Sequence, residues 1–313
     1  MKRHLRLLAA LFPLLALVPA AAQNPPQDNH HGIMIRIAQI YINPSADSTR
    51  IGEIGLGREV AILDQSRDWI QVLASVSGEK DITGWILNKG VVRIDTPDGD
   101  KLLFGEAATC ELQASQRYAR KGVGDDARRL YYRVFDYFPK SDLAGNALYR
   151  AADILWQLES ADLATRPSAR QRDPSDRLPI TEDYMKLVMK KYPDTKWADM
   201  AAFRLIDNKL CGTWAGPKCP DKEAEIYEKY AADRASSPRA AEALYDAATR
   251  RAVLIEMYKS ENDAKKSEDA RNRAKSDCQT LITKYPETDW ALRARALAYM
   301  VDNAIPTYGN EQQ

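Results

Sequence analysis

Imidazole chemistry has almost no place in this chain. Its three histidines are His4, His30 and His31, and the rest of the 313 residues holds none. A Ser–His–Asp triad, a Cys–His pair or a catalytic zinc site needs an imidazole placed by a rigid scaffold. His4 lies in an apolar leader, and His30 and His31 lie in a segment with Pro and Asn that is expected to be flexible. Those reactions are nearly excluded. Carboxylate chemistry stays open, because Asp and Glu are plentiful. Most of them fall in helical charge runs such as "DKEAEIYEK" (221–229), which read as a solvated face. No pair stands out as the two carboxyls a glycosidase holds across a cleft. A carboxylate-dependent cell-wall hydrolase is thus a rival reading, behind that of a non-enzymatic protein. There is no P-loop, dinucleotide-binding glycine fingerprint or calcium loop, and no metal or cofactor is expected.

The cysteines are Cys110, Cys211, Cys219 and Cys278. Four allow three pairings. "CGTWAGPKC" (211–219) has the Gly and Pro content of a loop that closes on itself, so a Cys211–Cys219 disulfide is expected. Cys110 and Cys278 either pair across a long stretch of chain or stay as buried thiols. Trp214 within the loop is a candidate contact residue.

Four cysteines suit an oxidising compartment, and the first residues agree. Lys2, Arg3 and Arg6 precede an apolar run from Leu7 to Val18, and "PAAAQ" supplies a small-residue cleavage site. Residues 1–22 read as an export signal, with a retained membrane anchor as the alternative. The run is short for a bilayer span and Pro13 interrupts it. No cysteine stands at the cleavage site for lipidation. The expectation is a periplasmic or secreted protein with no stable span after cleavage. The net charge of the whole chain is +1, and loss of Lys2, Arg3 and Arg6 makes it −2. A near-neutral chain has no global field to hold a phosphate backbone, so nucleic acid is not an expected partner.

Residues 23–32 read as a linker. From 33 to 95 short β-branched runs ("IMIRIAQIYI", "REVAILD", "DWIQVLA", "TGWILN") are punctuated by glycines, as a small all-β barrel requires. The segment resembles the bacterial SH3-like family. The resemblance rests on "INPSADSTRIGEIGLG" with Pro44, Ser45, Gly52 and Gly57, on "DWIQV", and on "TGWIL". The Arg usual in the first motif is absent, and Ile42 and Asn43 precede the Pro. The family often binds cell-wall peptide or glycan, which the resemblance implies as an activity of this module. Trp69 and Trp85 are the candidate ligand aromatics, with Tyr41, Asn43 and Asp68 beside them. Trp85 is expected to be half core and half groove floor. A purely structural role is the competing expectation for each.

Beyond residue 96 apolar residues recur at intervals of three and four, the signature of amphipathic helix. Residues 120–126 read as a turn, 160–179 as a mobile loop, and 260–276 as a charged helical surface either side of a break. Four segments repeat. Counted from Ser141, Thr195, Ser237 and Thr288 as position zero, position +3 is Ala144, Ala198, Ala240 and Ala291, and position +6 is Ala147, Ala201, Ala243 and Ala294. Position +8 is Tyr149, Phe203, Tyr245 and Ala296. The hydroxyl residue reads as a helix N-cap and the proline two before it as the stop of the previous helix. In the third copy Pro238 takes the first helical position. The alanines read as small faces that admit a neighbouring helix. Spacings of 54, 42 and 51 residues exceed the ~34 of a minimal tetratricopeptide repeat, as lengthened connections would produce.

The wording "YP-x-[ST]-x-x-A-x-x-A-x-[YF]" resembles the tetratricopeptide repeats of the Tol–Pal coordinator and outer-membrane assembly lipoprotein families. Those families bind other envelope proteins and carry no catalytic residues, which the resemblance implies here over residues 105–305. Tyr149, Phe203 and Tyr245 either line a groove for a partner or pack as core. Trp197 and Trp290, at position +2, read as inter-helix packing. The expected fold is a small all-β SH3-like barrel followed by an all-α, tetratricopeptide-like solenoid, with residues 306–313 as a tail. The expected function is that of an exported scaffold for an envelope protein or peptide, with peptidoglycan as the alternative ligand.

Overall fold

The computed structural model describes residues 30–76, 80–165 and 180–308. The export signal, most of the 23–32 linker, residues 166–179 of the expected loop and the last five residues lie outside the described residues. An antiparallel sheet comes first: β1 (His31–Met34), β2 (Ala38–Tyr41), β3 (Arg50–Ile54), β4 (Glu59–Ser66), β5 (Trp69–Val76), β6 (Lys80–Leu87) and β7 (Val91–Val92). Its strand order is β3-β2-β6-β5-β4-β1-β7. Alternation decides which side chains go inside. Along β5, Ile70, Val72 and Ala74 are buried while Trp69, Gln71 and Leu73 point the other way. Met34, Ile40, Ile54, Val60 and Ile86 complete that core.

Nine helices follow among the described residues: α1 (Gly99–Ala114), α2 (Val123–Tyr137), α3 (Ala144–Thr165), α4 (Asp183–Lys191), α5 (Lys196–Arg204), α6 (Lys218–Asp233), α7 (Ala240–Ser260), α8 (Ala264–Lys284) and α9 (Asp289–Asp302). The helical region therefore begins at Gly99, ahead of the expected 105. Residues 160–165 belong to α3 instead of a loop. α2 already starts at Val123, inside the expected turn, and the break between α7 and α8 falls at residues 261–263.

The repeat is a joint with constant geometry. α2, α4, α6 and α8 end at Phe138, Tyr192, Arg234 and Tyr285, each three residues before position zero, with φ between −125° and −133° and ψ between 49° and 57°. In all four the N–H of that residue still donates to the carbonyl four residues back, at 2.9–3.0 Å. The alanines at +3 and +6 are buried in every copy, so the helices approach through methyl groups alone.

The hydroxyls divide into two kinds. Thr195 Oγ1 accepts from Ala198 N (3.4 Å) and Thr288 Oγ1 from Ala291 N (3.2 Å), as caps do. Ser141 and Ser237 accept instead from the residue two ahead, Leu143 N and Arg239 N at 3.1 Å. Each serine has a rival partner: Ser141 Oγ donates to Asp100 of α1 (2.6 Å), and Ser237 Oγ hydrogen-bonds the Tyr230 hydroxyl (2.6 Å). Their helices start three residues later, and Pro238 lies in the turn ahead of α7 instead of in its first position.

The barrel and the helices share a core. Ile33, Leu56 and Val92 pack into one cluster with Leu103, Ala107, Val123, Ala127, Leu130, Tyr131 and Val134 of α1 and α2. Glu59 of β4 accepts from the Tyr137 hydroxyl (2.7 Å) and pairs with Arg133 (3.0 Å), while Arg129 Nε donates to the Leu56 carbonyl (3.3 Å). Gly57 sits in the left-handed region (φ 71°), and a Cβ there would stand 2.7 Å from Arg129 Cβ and 3.0 Å from Leu130 N. Only glycine lets the β3–β4 turn lie this close to α2. Gly57→Val is expected to destabilise the protein by about 1–3 kcal/mol through overpacking alone, read as a lower melting temperature and faster proteolysis between residues 93 and 98.

Candidate functional site

The barrel carries an aromatic outer face. Tyr41 of β2 pairs with Trp85 of β6, and Trp85 with Gln71 of β5. Directly opposite residues share a face, and so do residues two apart along a strand. Tyr41, Trp85, Gln71 and Trp69 therefore stand together on the side away from the barrel core. The Tyr41 and Trp69 rings meet edge to face with centroids 5.4 Å apart. Arg50, opposite Tyr41 in β3, lies over the tyrosine ring at 5.9 Å. All three aromatics are half-buried. Strand alternation puts Gly84 and Ile86 inside and Trp85 on the outer face opposite Gln71, where it is half-buried.

Asn43 and Asp68 sit in exposed turns next to this face. Asn43 N donates to Ser48 Oγ (3.0 Å), and the Asp68 carbonyl accepts from Asn88 N (2.7 Å). Both backbones are held by these bonds. The docking of the barrel on α1 and α2 uses β1, β7 and the β3–β4 turn, which leaves the face built on β2, β5 and β6 clear.

The aromatics of the helical region do different work. Position +8 of each unit meets position +2 of the next. Tyr149 stacks on Trp197 (6.0 Å, 28°), Phe203 lies under the Arg239 guanidinium (5.5 Å), and Tyr245 meets Trp290 (5.4 Å). Tyr149, Phe203 and Tyr245 are thus inter-unit packing, and Trp197 and Trp290 are their partners.

Cys211 and Cys219 form the expected disulfide. Cys110 and Cys278 are buried free thiols, and burial pushes them up to about 11 and about 12. The disulfide loop is organised by a carboxylate that charge patterning assigned to solvent. Glu223, 2% exposed, accepts at Oε1 from Cys211 N (2.8 Å) and Trp214 Nε1 (3.2 Å), and at Oε2 from Arg250 Nε (2.9 Å). Arg250 also lies over the Tyr227 ring at 4.6 Å. Trp214 therefore has its N–H turned inward.

A second buried cation follows directly. Arg251, 1% exposed, donates to Glu228 Oε1 (2.7 Å) and pairs with Asp221, beside a cavity of about 160 Å³. Asp221, Glu223 and Glu228 all come from the "DKEAEIYEK" run, whose Lys222, Glu225 and Lys229 face solvent while Glu223 is buried and Asp221 and Glu228 are half-buried acceptors. The signal that reveals them is Arg250–Arg251 inside the alanine-rich α7. The Asp277 carboxyl faces Glu228, Arg251 and Arg273, and its Oδ2 is sealed without a partner. Burial, helped by the Glu228 charge, pushes it up to about 7. Burial likewise pushes Asp246 up to about 6, in a separate cluster with Arg250, Glu242 and Asp207.

With this geometry in place, comparison with protein families gives one result. Residues 38–92 match the family model of the bacterial SH3 domain. The matched segment contains Tyr41, Trp69 and Trp85 and ends at β7. Bacterial SH3 domains are protein-binding or cell-wall-binding modules, and the outward aromatic face lies within the matched residues. No curated protein matches the chain. Among the described residues no helix is long and apolar enough to cross a membrane, and no cluster of His, Cys, Asp and Glu is arranged to hold a metal. The bacterial SH3 domain and the disulfide fit a protein of an oxidising, extracytoplasmic compartment.

Glu223→Ala is expected to cost about 1–3 kcal/mol, because it leaves Cys211 N–H and Trp214 Nε1–H without their acceptor and Arg250 with Asp246 as its remaining carboxylate partner; thermal denaturation measures it. Asp277 gives a pH signature. Its folded value of about 7 lies above the ordinary 3.8, so the folded chain holds a proton that the unfolded chain has released. The stability this confers is complete below 3.8 and is lost as pH rises through about 7. Asp277→Asn should therefore raise the melting temperature more at about pH 8 than at about pH 5.

Proposed function

We propose that this protein is an exported, non-enzymatic adaptor of the bacterial cell envelope. Its SH3 face of Tyr41, Trp69 and Trp85, with Arg50 alongside, receives a peptide or a cell-wall strand. Its tetratricopeptide-like helical stack receives a segment of another envelope protein. The observation that carries the reading is the outward aromatic face within residues 38–92, left clear of the helices. Aromatic rings offer a sugar or a peptide backbone a flat apolar surface, and the edge of the Tyr41–Trp69 pair adds a defined orientation. Arg50 and the exposed turns at Asn43 and Asp68 add hydrogen-bonding groups at its rim.

The helical stack supports the second half of the proposal by its regularity. Four joints of one geometry make a stacked array of helix pairs, an architecture suited to an extended binding surface. Export is supported by the leader, the disulfide and the extracytoplasmic character of the SH3 domain. Peptidoglycan is the second reading for the barrel ligand, favoured by the family match and the aromatic character of the face.

The barrel buries Ile33, Leu56 and Val92 against α1 and α2, so the intact chain is the reagent of choice. Retention of the full-length protein on purified peptidoglycan is expected, and Trp69→Ala should weaken it by about tenfold, the loss of one central aromatic anchor. Wild type passing through unretained would remove the wall contact and leave a protein ligand for the same face, to be sought by crosslinking and mass spectrometry in the native envelope.

A further inference from the structure

Among the described residues α9 is the last helix of the stack. In α3 the face that the next unit covers is formed by positions +4, +7, +8 and +11, which are Gly145, Leu148, Tyr149 and Ala152, all buried. Trp197 of the following unit lies directly on Gly145 and Tyr149. On α9 the same four positions are Leu292, Arg295, Ala296 and Tyr299, and all are exposed, Leu292 at 63% and Tyr299 at 64%. The interface used between internal units thus continues onto a helix with nothing on it among the described residues.

We propose that this end face binds a second copy of the chain, α9 against α9, antiparallel about a two-fold axis. Two features favour a second copy. First, Leu292, Ala296 and Tyr299 follow the spacing of four and three that makes a helix–helix seam. Second, the charges beside the seam are self-complementary. Arg295 and Asp302 are seven residues apart, hence on the same flank, and both face solvent, Asp302 while also pairing with Lys275 at 2.6 Å. An antiparallel pairing centred next to Tyr299 brings Arg295 to Asp302 of the partner subunit, twice. The same register brings Leu292 towards Ile305 of the partner subunit, a residue also exposed in the single chain. A parallel two-fold pairing would put the two copies of this flank on opposite sides of the seam, so that Arg295 and Asp302 do not meet. A two-fold contact closes on itself and ends the array, where a head-to-tail contact would grow a fibre.

A single pair of four-turn helices buries less than the ~1,200 Å² of a stable complex, so the dimer is expected to form in the micromolar range. Sedimentation velocity on the full-length protein over a concentration series tests this. Wild type should shift from monomer to dimer. Tyr299→Glu and Arg295→Glu should each raise the dissociation constant, Tyr299→Glu by about tenfold or more. The double variant Arg295→Glu with Asp302→Arg restores the complementary charges and should recover dimerisation. Circular dichroism establishes that the variants fold, as expected for exposed positions. Wild type remaining monomeric at the highest concentration overturns the proposal. So does a dimer that Tyr299→Glu and Arg295→Glu leave unchanged.

Discussion

Eight alanine methyl groups set the spacing of this molecule. At +3 and +6 in each of the four copies the alanine is buried, so a side chain larger than methyl would have to displace its packed neighbours. The close approach that results brings +8 of one unit within reach of +2 of the next. The ring contacts Tyr149–Trp197 and Tyr245–Trp290, and the Phe203–Arg239 pair, follow from that distance. The joint before each alanine pair repeats its angles because the preceding helix must turn the chain back at one fixed separation. Dispersion and burial at these positions are what hold the array in register.

The barrel is held to that array by different means. Its docking relies on a glycine backbone against α2, three apolar side chains in the helical core, and Glu59 received by Tyr137 and Arg133. This is an intramolecular interface with a continuous apolar centre and a polar edge, not two modules joined by a tether. A ligand on the SH3 face and a partner on the helices would meet at a distance and angle set by the fold. The affinity gained by linking two sites is greatest when the connection does not have to be searched.

Much of the architecture is legible in the residue order, and the exceptions share a cause. The repeat shows because its Pro, hydroxyl and Ala positions answer to local rules: stopping a helix, starting the next, and admitting a neighbour. The strands show through alternation and glycine turns, and the Cys211–Cys219 loop through its composition. What local rules cannot give is which charges face one another. Glu223 in "DKEAEIYEK" looks like any surface glutamate until Arg250, twenty-seven residues on, is placed against it. Likewise Ile33, Leu56 and Val92 lie within the all-β segment, and only the docking of α1 and α2 shows what they pack against. Ser141 and Ser237 depart from Thr195 and Thr288 because Asp100 and Tyr230 compete for their hydroxyls. The face that Trp85 occupies follows from strand parity, which sets it opposite Gln71 and beside Tyr41.

Cys110 and Cys278 give this arrangement a chemical clock. They belong to α1 and α8, in separate apolar clusters, and each is protonated and out of reach of oxidant while its cluster is closed. In an oxidising compartment a molecule that opens exposes two thiols in the presence of an existing disulfide, and exchange between them proceeds through mixed disulfides. A brief opening can reverse; a long one is captured covalently in a wrong pairing. Where reclosing outpaces exchange, the lifetime of the protein in such a compartment follows the fraction of molecules with a cluster open; where exchange is the faster step, it follows the rate of opening.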